Sequence, residues 1–250
     1  MKKKKLLPKI SIITVVLNNE KQIKRCIKSV INQNYPKKKI EHIIIDGGSI
    51  DSTIHIIKKF KNNITYWHSR KDKGLYDAMN QGIRKSSGDI IGILNSDDYY
   101  TRNALRIVSK YFLKNEIDYL FGSVKKKRIY HNFFPERLWY TFNIYPSHSA
   151  SFFIKKKVQK KIGFYNTKFK YSSDRDLIYR LIKNTKLKGF ATKKNELLGI
   201  FNMTGLSSKV NFFYKLSEEI KIRLSNKESF IKVFSIMTVF IIYHFTKKIQ

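Results

Sequence analysis

From Ile10 onward, short runs of β-branched and aromatic residues alternate with longer stretches in which apolar residues return every three or four positions. The runs ISIITVVL (10–17), IEHIIID (40–46), ITYWH (64–68), DIIGIL (89–94) and DYLFG (118–122) predict strands. Helical spacing fills the intervals 20–33, 51–61, 74–86 and 101–114, and in the third of these Leu75, Ala78, Met79, Gly82 and Ile83 form one stripe. Strand runs this continuous need cover on both faces, which predicts an α/β fold with a mostly parallel central sheet flanked by helices. Beyond residue 122 the pattern weakens to basic runs (KKKR, 125–128; KKK, 155–157), one predicted strand at SASFFI (149–154) and a helix from Ser173, where Leu177, Ile178, Leu181 and Ile182 align. Val233 to Phe245 is uncharged for thirteen residues. That is short of the ~20 needed to span a bilayer and suits a buried or interfacial helix.

Composition adds one strong feature. Lys and Arg number 51 against 18 Asp and Glu, a net charge of +33 over 250 residues. Such a chain is drawn toward polyanions, whether nucleic acid, an anionic lipid surface or a phosphorylated substrate, although charge runs also mark ordinary wet faces. The single cysteine, Cys26, excludes an intrachain disulfide framework and fits reducing surroundings. Its neighbours Ile23, Ile27 and Val30 at helical spacing make it a core residue. The basic start MKKKKLLPKI is interrupted by Pro8 and Lys9 and carries no small-residue cleavage site, so it does not read as a secretory signal.

In open α/β sheets the ligand crevice lies outside the carboxyl ends of the strands. The polar residues there are Asn18-Asn19-Glu20, Asp46-Gly47-Gly48-Ser49, the segment Ser69 to Gly74, and Asn95-Ser96-Asp97-Asp98. Adjacent carboxylates at a strand end are good ligands for a hard divalent cation that completes its octahedron with phosphate oxygens, although acids before Thr101 also suit a helix start.

The blocks SIITVVLNNE, IIIDGGSIDST, DKGLYDAMNQGIRKSSGDIIGILNSDDYY and YSSDRDLIYRL resemble the family 2 glycosyltransferases in order and spacing, over roughly Lys9 to Ile182, and most closely the branch that builds bacterial cell-surface polysaccharides. The resemblance implies a GT-A fold. It implies a nucleotide-sugar-binding half (9–122) and an acceptor-binding half (123–205) within a domain spanning 1–205, followed by a helical C-terminal extension (206–250). It implies an inverting transfer from a UDP-, GDP- or dTDP-sugar to a lipid-linked or lipopolysaccharide/capsule glycan. Asp46 matches the acid that reads the nucleotide base, its alternative being a turn acid beside Gly47 and Gly48, with Thr14, Asn18 and Glu20 in the same pocket. Gly74, Asp77 and Asn80 match the stretch near donor sugar and ribose, while Arg70 and Lys71 stand where an acidic residue is frequent. Asn95-Ser96-Asp97 takes the place of the D-x-D motif with its first acid missing, and Asp97 with Asp98 would hold Mg or Mn. Asp174 matches the general base, with a plain N-terminal helix acid as the alternative; Asp51 suits support of the helix that follows it, and Asp176 suits a pair with Arg180. His148 is a candidate acceptor or diphosphate contact, or a structural histidine.

The implied location is cytoplasmic, peripheral on the inner face of the membrane, with the 233–245 helix in the interface, flanked by Lys232, Lys247 and Lys248, or in a homodimer contact. Three rivals differ in class. A nucleic-acid-binding protein would need a recognition motif that the sequence lacks, so no nucleic-acid partner is expected. A degenerate GT-A scaffold fits the Asn95 and Ser173 departures, and a nucleotidyltransferase would show a Gly-rich phosphate loop where this chain has VVLNNE.

Overall fold

The computed structural model describes residues 6–139, 144–202 and 210–246. Its centre is β1 (Ile10–Val16), every residue of which is buried. The strand runs parallel between β2 (Ile40–Asp46) and β4 (Ile90–Ile93). Side chains alternate along it with period two. Ile10, Ile12 and Val16 point into one apolar layer and Ile13 and Val15 into the other.

The first layer is closed by α1 (Ile23–Ile31), α2 (Thr53–Lys59) and α4 (Ala104–Lys114), through Ile23, Ile27, Val30, Ile57, Leu105 and Val108. Cys26 lies fully buried in this layer, its thiol pushed far up by burial, as its helical neighbours predict. The second layer is closed by α3 (Leu75–Lys85), α5 (Lys156–Ile162) and α6 (Ser173–Lys183), through Met79, Ile83, Val158, Leu177, Ile178 and Leu181. The sheet has seven strands. Beyond β2 lies β3 (Tyr66–Ser69); on the other side of β4 come β9 (Phe152–Lys155), β6 (Tyr119–Phe121) and β10 (Gly189–Ala191), with β9 antiparallel to both of its neighbours. The expected mostly parallel sheet is therefore present.

A second sheet was not legible. β5 (Tyr99–Tyr100), β11 (Leu197–Ile200), β7 (Ser123–Lys125) and β8 (Ile129–Tyr130) form it in that order. The C-terminal helices α7 (Phe212–Ser225) and α8 (Phe230–Thr246) follow. The expected boundary at 205/206 lies outside the described residues, as do Lys247 and Lys248. α7 is anchored on the α6 side of the domain: Glu218 accepts from the backbone N–H groups of Lys170 (2.7 Å) and Tyr171, and Glu219 pairs with Arg175 and with the fully buried Arg223. Arg223 also meets Glu228 at 2.9 Å, so its charge is doubly compensated. Lys232, expected to flank an interfacial helix, is engaged as well, with Glu228 at 2.7 Å and over the ring of Trp139.

A buried polar knot ties the amino ends of β1 and β2 to the segment before β4. Glu41 accepts from Ser11 Oγ (2.5 Å), Ser87 N (2.7 Å), Ser87 Oγ (2.6 Å) and Lys9 Nζ (3.1 Å). Burial pushes its carboxyl up, but these hydrogen bonds outweigh that and hold it down to about 2. With the folded value below the unfolded one, the stabilisation is present above about pH 4.5 and is lost as pH falls toward 2. Glu41→Gln is expected to lower stability near neutral pH by roughly 2–3 kcal/mol. Denaturant titrations across pH should show the gap between variant and wild type closing in acid; a gap independent of pH refutes the linkage.

Candidate active site

A cleft of about 680 Å³ opens where strand ends predict it. Its walls come from seven places: Leu17 to Asn19 after β1, Asp72 and the start of α3, Asn95 to Asp97 after β4, Lys126 after β7, Tyr145 to Ser149 before β9, Lys170, Tyr171 and Asp174 around the start of α6, and Phe201 and Asn202 beyond β11. The loops brace one another. Asn18, in the left-handed region at φ 47, accepts from Ile50 N through Oδ1 while its own N–H donates to Ser49 Oγ. Asn19 Nδ2 donates to Ser96 Oγ at 2.8 Å.

Of the residues expected at the site, Asn18, Gly74, Asn95, Ser96, Asp97, His148 and Asp174 line the cleft together. Gly74 sits at φ +112 with open space where a Cβ would stand, so the α3 start requires glycine for its backbone conformation. Thr14, Glu20, Asp46, Asp77 and Asn80 are turned to structural work. Thr14 is buried, its Oγ1 3.0 Å from His42 Nε2. Glu20 accepts from Ser52 N, and Asp51 from Thr53 N and Glu20 N, so the two acids cross-brace the α1 and α2 starts. Asp77 accepts from Lys73 N and Gln81 Nε2 within the first turn of α3. Asn80 pairs with both backbone groups of Tyr165 at 2.9 Å. Asp46 is fully buried and saturated, accepting from Gly48 N, Ser49 N, Ser49 Oγ and Ser69 Oγ. It organises the loop after β2. Asp176 pairs with Arg180 at 2.9 Å as the sequence predicts, and Arg180 also donates to Ile162 O and Phe164 O.

Asp174 stands in the first turn of α6, where Tyr76 Oη donates to its Oδ1 (2.9 Å) and Tyr145 Oη to its Oδ2 (3.2 Å). Burial, then the charge of Asp174, pushes both phenols well up, so they remain donors at any working pH. His148 sits at 2.5 Å from Tyr165 Oη, and burial lowers its pKa, leaving the ring neutral. Asp97 faces the cleft with its carboxyl raised by burial, while Arg25 Nη2 donates to its backbone carbonyl. Asp98 lies behind it, almost fully buried. Its Oδ1 accepts from Asn202 N (2.8 Å), but Oδ2 has no partner, and neither has the buried Oδ1 of Asn95. Burial and then the Asp97 charge push the Asp98 carboxyl up to about 7.

Sequence reasoning missed several lining groups, Lys170 and Asn202 among them. Tyr76 lies within a block singled out for other residues, and Tyr145 three positions before His148. Lys126, inside a run that looked like wet surface, lines the cleft between the rings of Tyr130 and Phe201, its pKa lowered by burial. Asp72 accepts from Gly74 N through Oδ1, and its Oδ2 lies 2.6 Å from where a Cβ on Gly47 would be, so the absent side chain at 47 makes room for this carboxylate.

Among the described residues no cluster of three or more His, Cys, Asp or Glu could hold a metal by itself. Two adjacent carboxylates with an orphaned oxygen do fit a hard cation that takes its remaining ligands from a diphosphate and water.

The solved structure of Staphylococcus aureus TarS residues 1–349 in complex with UDP-GlcNAc superposes with a TM-score of 0.71 at 17% identity, covering 95% of this chain and 73% of that one. The mannosyltransferase PcManGT of Pyrobaculum calidifontis, in complex with GDP-Man and Mn2+, gives 0.70 at 13% identity over 94% of this chain and 69% of that one. The fold is thus of the GT-A type. Among curated sequences, an uncharacterized glycosyltransferase of Mycobacterium tuberculosis (strain CDC 1551 / Oshkosh), MT1564, is 43% identical over 94 residues, which make up 38% of this chain and 36% of that one. The chain spans about a third of the length of such relatives. The family model of Glycosyl transferase family 2 matches residues 11–178, from β1 into α6 and across most of the loops that wall the cleft, and the chain accordingly belongs to glycosyl transferase family 2.

Proposed function

We propose that the chain transfers a sugar from a nucleoside diphosphate to an acceptor hydroxyl, with inversion at the anomeric carbon. The observation that carries this reading is one carboxylate, Asp174, oriented by two tyrosine hydroxyls and opening into the cleft that also holds Asp97. Asp174 takes the proton of the acceptor hydroxyl as its oxygen bonds to the anomeric carbon and the bond to the diphosphate breaks. Lys126 and Lys170, both in the lining, face the charge that gathers on the leaving group. Asp97 and Asp98 would hold a Mg or Mn ion, which when bound supplies positive charge beside the diphosphate. With Asp46 saturated, Asp72 is the acid placed to accept from the nucleotide base. UDP, GDP and dTDP with Mn are to be screened by thermal shift. One should raise the melting temperature of wild type, and Asp72→Asn should weaken that nucleotide at least about tenfold; no shift with any of them would sink the donor reading.

The acceptor we propose is a lipid-linked or cell-surface glycan met at an anionic membrane. No helix among the described residues is long and apolar enough to cross a bilayer. α8 nevertheless keeps an apolar outward stripe, with Ile231 79% and Phe234 66% exposed beside Val239 and Ile242, while its other side packs through Val233 and Met237 against Leu216 of α7. A helix apolar all round and covered on one side suits the interface plane. Co-sedimentation with phosphatidylglycerol vesicles should fall at least about fivefold in Ile231→Ser/Phe234→Ser. Unchanged sedimentation, or a wild type that dimerises through this stripe in solution, argues against membrane seating.

A further inference from the structure

A second depression, about 1230 Å³ and larger than the donor cleft, runs along the valley between α1 and α4. Arg25, Lys28 and Lys37 line one side and Arg102, Arg106 and Lys110 the other, with no carboxylate in the wall. Among the described residues only Lys110 of these six makes an ion pair, with Glu196 at 3.2 Å. Arg25 has the Asp97 carboxylate near it, but Lys28 and Lys37 face Arg102 and Arg106 across a concavity with no carboxylate in its wall, an arrangement that costs repulsion and is relieved by a bound polyanion. Arg25 links the two depressions, lining the groove while donating to the backbone carbonyl of Asp97, which lines the donor cleft. From there the groove passes Lys28 and Asn32 to Tyr35, Pro36 and Lys37 beyond the far end of α1.

The shape and chemistry of the wall narrow the ligand. Single-stranded nucleic acid is held by exposed aromatic faces on which bases stack, but the only rings here, Tyr35 and Tyr100, are 8% and 3% exposed. A lipid surface is met by convex apolar side chains that insert, whereas this wall is concave and its six cationic side chains come from both sides of it. What remains is a thin, flexible chain that carries phosphate at intervals and no bases.

We propose that the α1–α4 groove binds an extended phosphodiester-linked chain, the stem of a phosphate-bearing acceptor whose growing end reaches the donor cleft past Arg25. Its role as an acceptor track rests on the transferase reading above; its binding of the polyanion does not.

The test uses the full chain and inorganic polyphosphate as probe, followed by competition anisotropy at about 50 mM salt. Wild type should bind. Arg102→Glu/Arg106→Glu should bind roughly 30-fold more weakly and with a shallower salt dependence, and the milder Arg102→Gln/Arg106→Gln should fall between. Lys160→Glu/Lys161→Glu, an equal charge change on exposed positions of α5, should stay within about threefold of wild type. Equal losses in the groove and α5 variants would reduce the effect to net charge and overturn the proposal. So would a wild type that ignores polyphosphate, groove-dependent binding to phosphatidylglycerol vesicles alone, or tighter groove-dependent binding of single-stranded DNA. The nucleotide thermal shift, measured on the same samples, separates the readings: its absence with polyphosphate binding intact defeats the donor assignment and spares the groove.

Discussion

Asp174→Asn is expected to cut sugar transfer by about 10³- to 10⁴-fold while leaving nucleotide affinity within about twofold of wild type. The asymmetry follows from what the substitution removes. An asparagine can still accept the Tyr76 hydroxyl through its carbonyl, so the start of α6 and the tyrosine bracket keep one of their two ties. Its amide nitrogen cannot take a proton and presents a donor to Tyr145, which itself donates at 3.2 Å in wild type. Only the proton-accepting step is lost, and that step lies in the transition state rather than in donor binding. Release of nucleoside diphosphate in the presence of an active acceptor measures the first quantity, and nucleotide titration by calorimetry the second. Undiminished turnover would return Asp174 to the role of a plain helix-start acid. A parallel loss of nucleotide affinity would mean that the carboxylate organises the cleft rather than the chemistry.

The legible and illegible parts of this protein divide by the range of the interactions that define them. β1, β2 and β4 are readable because each is a near-continuous apolar run buried on both faces, and α3 because its stripe repeats at helical spacing. β5, β7, β8 and β11 are two to four residues long and exist only through pairing with one another, as when Gly199 meets Tyr100. No local pattern announces such strands. The site divides in the same way. Acids that follow strands could be placed at the rim from the sequence, and Asp97 is there. Whether an acid faces a ligand or its own loop is decided by partners far along the chain. Asp46 has Ser69 as one of its donors, 23 positions away, and that contact helps turn a strand-end carboxylate inward. Conversely, Tyr76 acquires its role from Asp174, 98 positions on, although nothing about a tyrosine in the first turn of a helix signals it. The basic groove is the extreme case: its cations come from two separate helices and the turns beside them, and each alone reads as a wet surface residue.

Asp98→Asn should separate stability from activity in opposite directions. The Asp98 carboxyl is buried, has one oxygen without a partner and is raised to about 7 by burial and by Asp97. A folded value above the unfolded one means that ionisation works against folding. Below about pH 4 both states are protonated and the group is neutral in its effect; as pH rises from there to 7 the folded state loses stability, and above 7 the loss is complete. An asparagine keeps the acceptor for Asn202 N and never carries the charge. In metal-free buffer at about pH 8 the variant is therefore expected to be more stable by roughly 2–4 kcal/mol, with the gain vanishing in acid. The same change removes half of the paired charge proposed to hold the cation, so the Mn-dependent part of the nucleotide thermal shift should disappear and transfer should fall by about 10²-fold or more. The Asn202 N–H, Ser149 and the Lys126 charge favour the ionised Asp98 without overcoming burial and Asp97, so a carboxylate with one buried oxygen left over awaits completion from outside the protein, and here the candidate is a metal arriving with the diphosphate. If Asp98→Asn is instead no more stable than wild type at pH 8 and keeps its Mn response, the carboxylate is satisfied within the protein, and the metal-holding role passes to Asp97 alone.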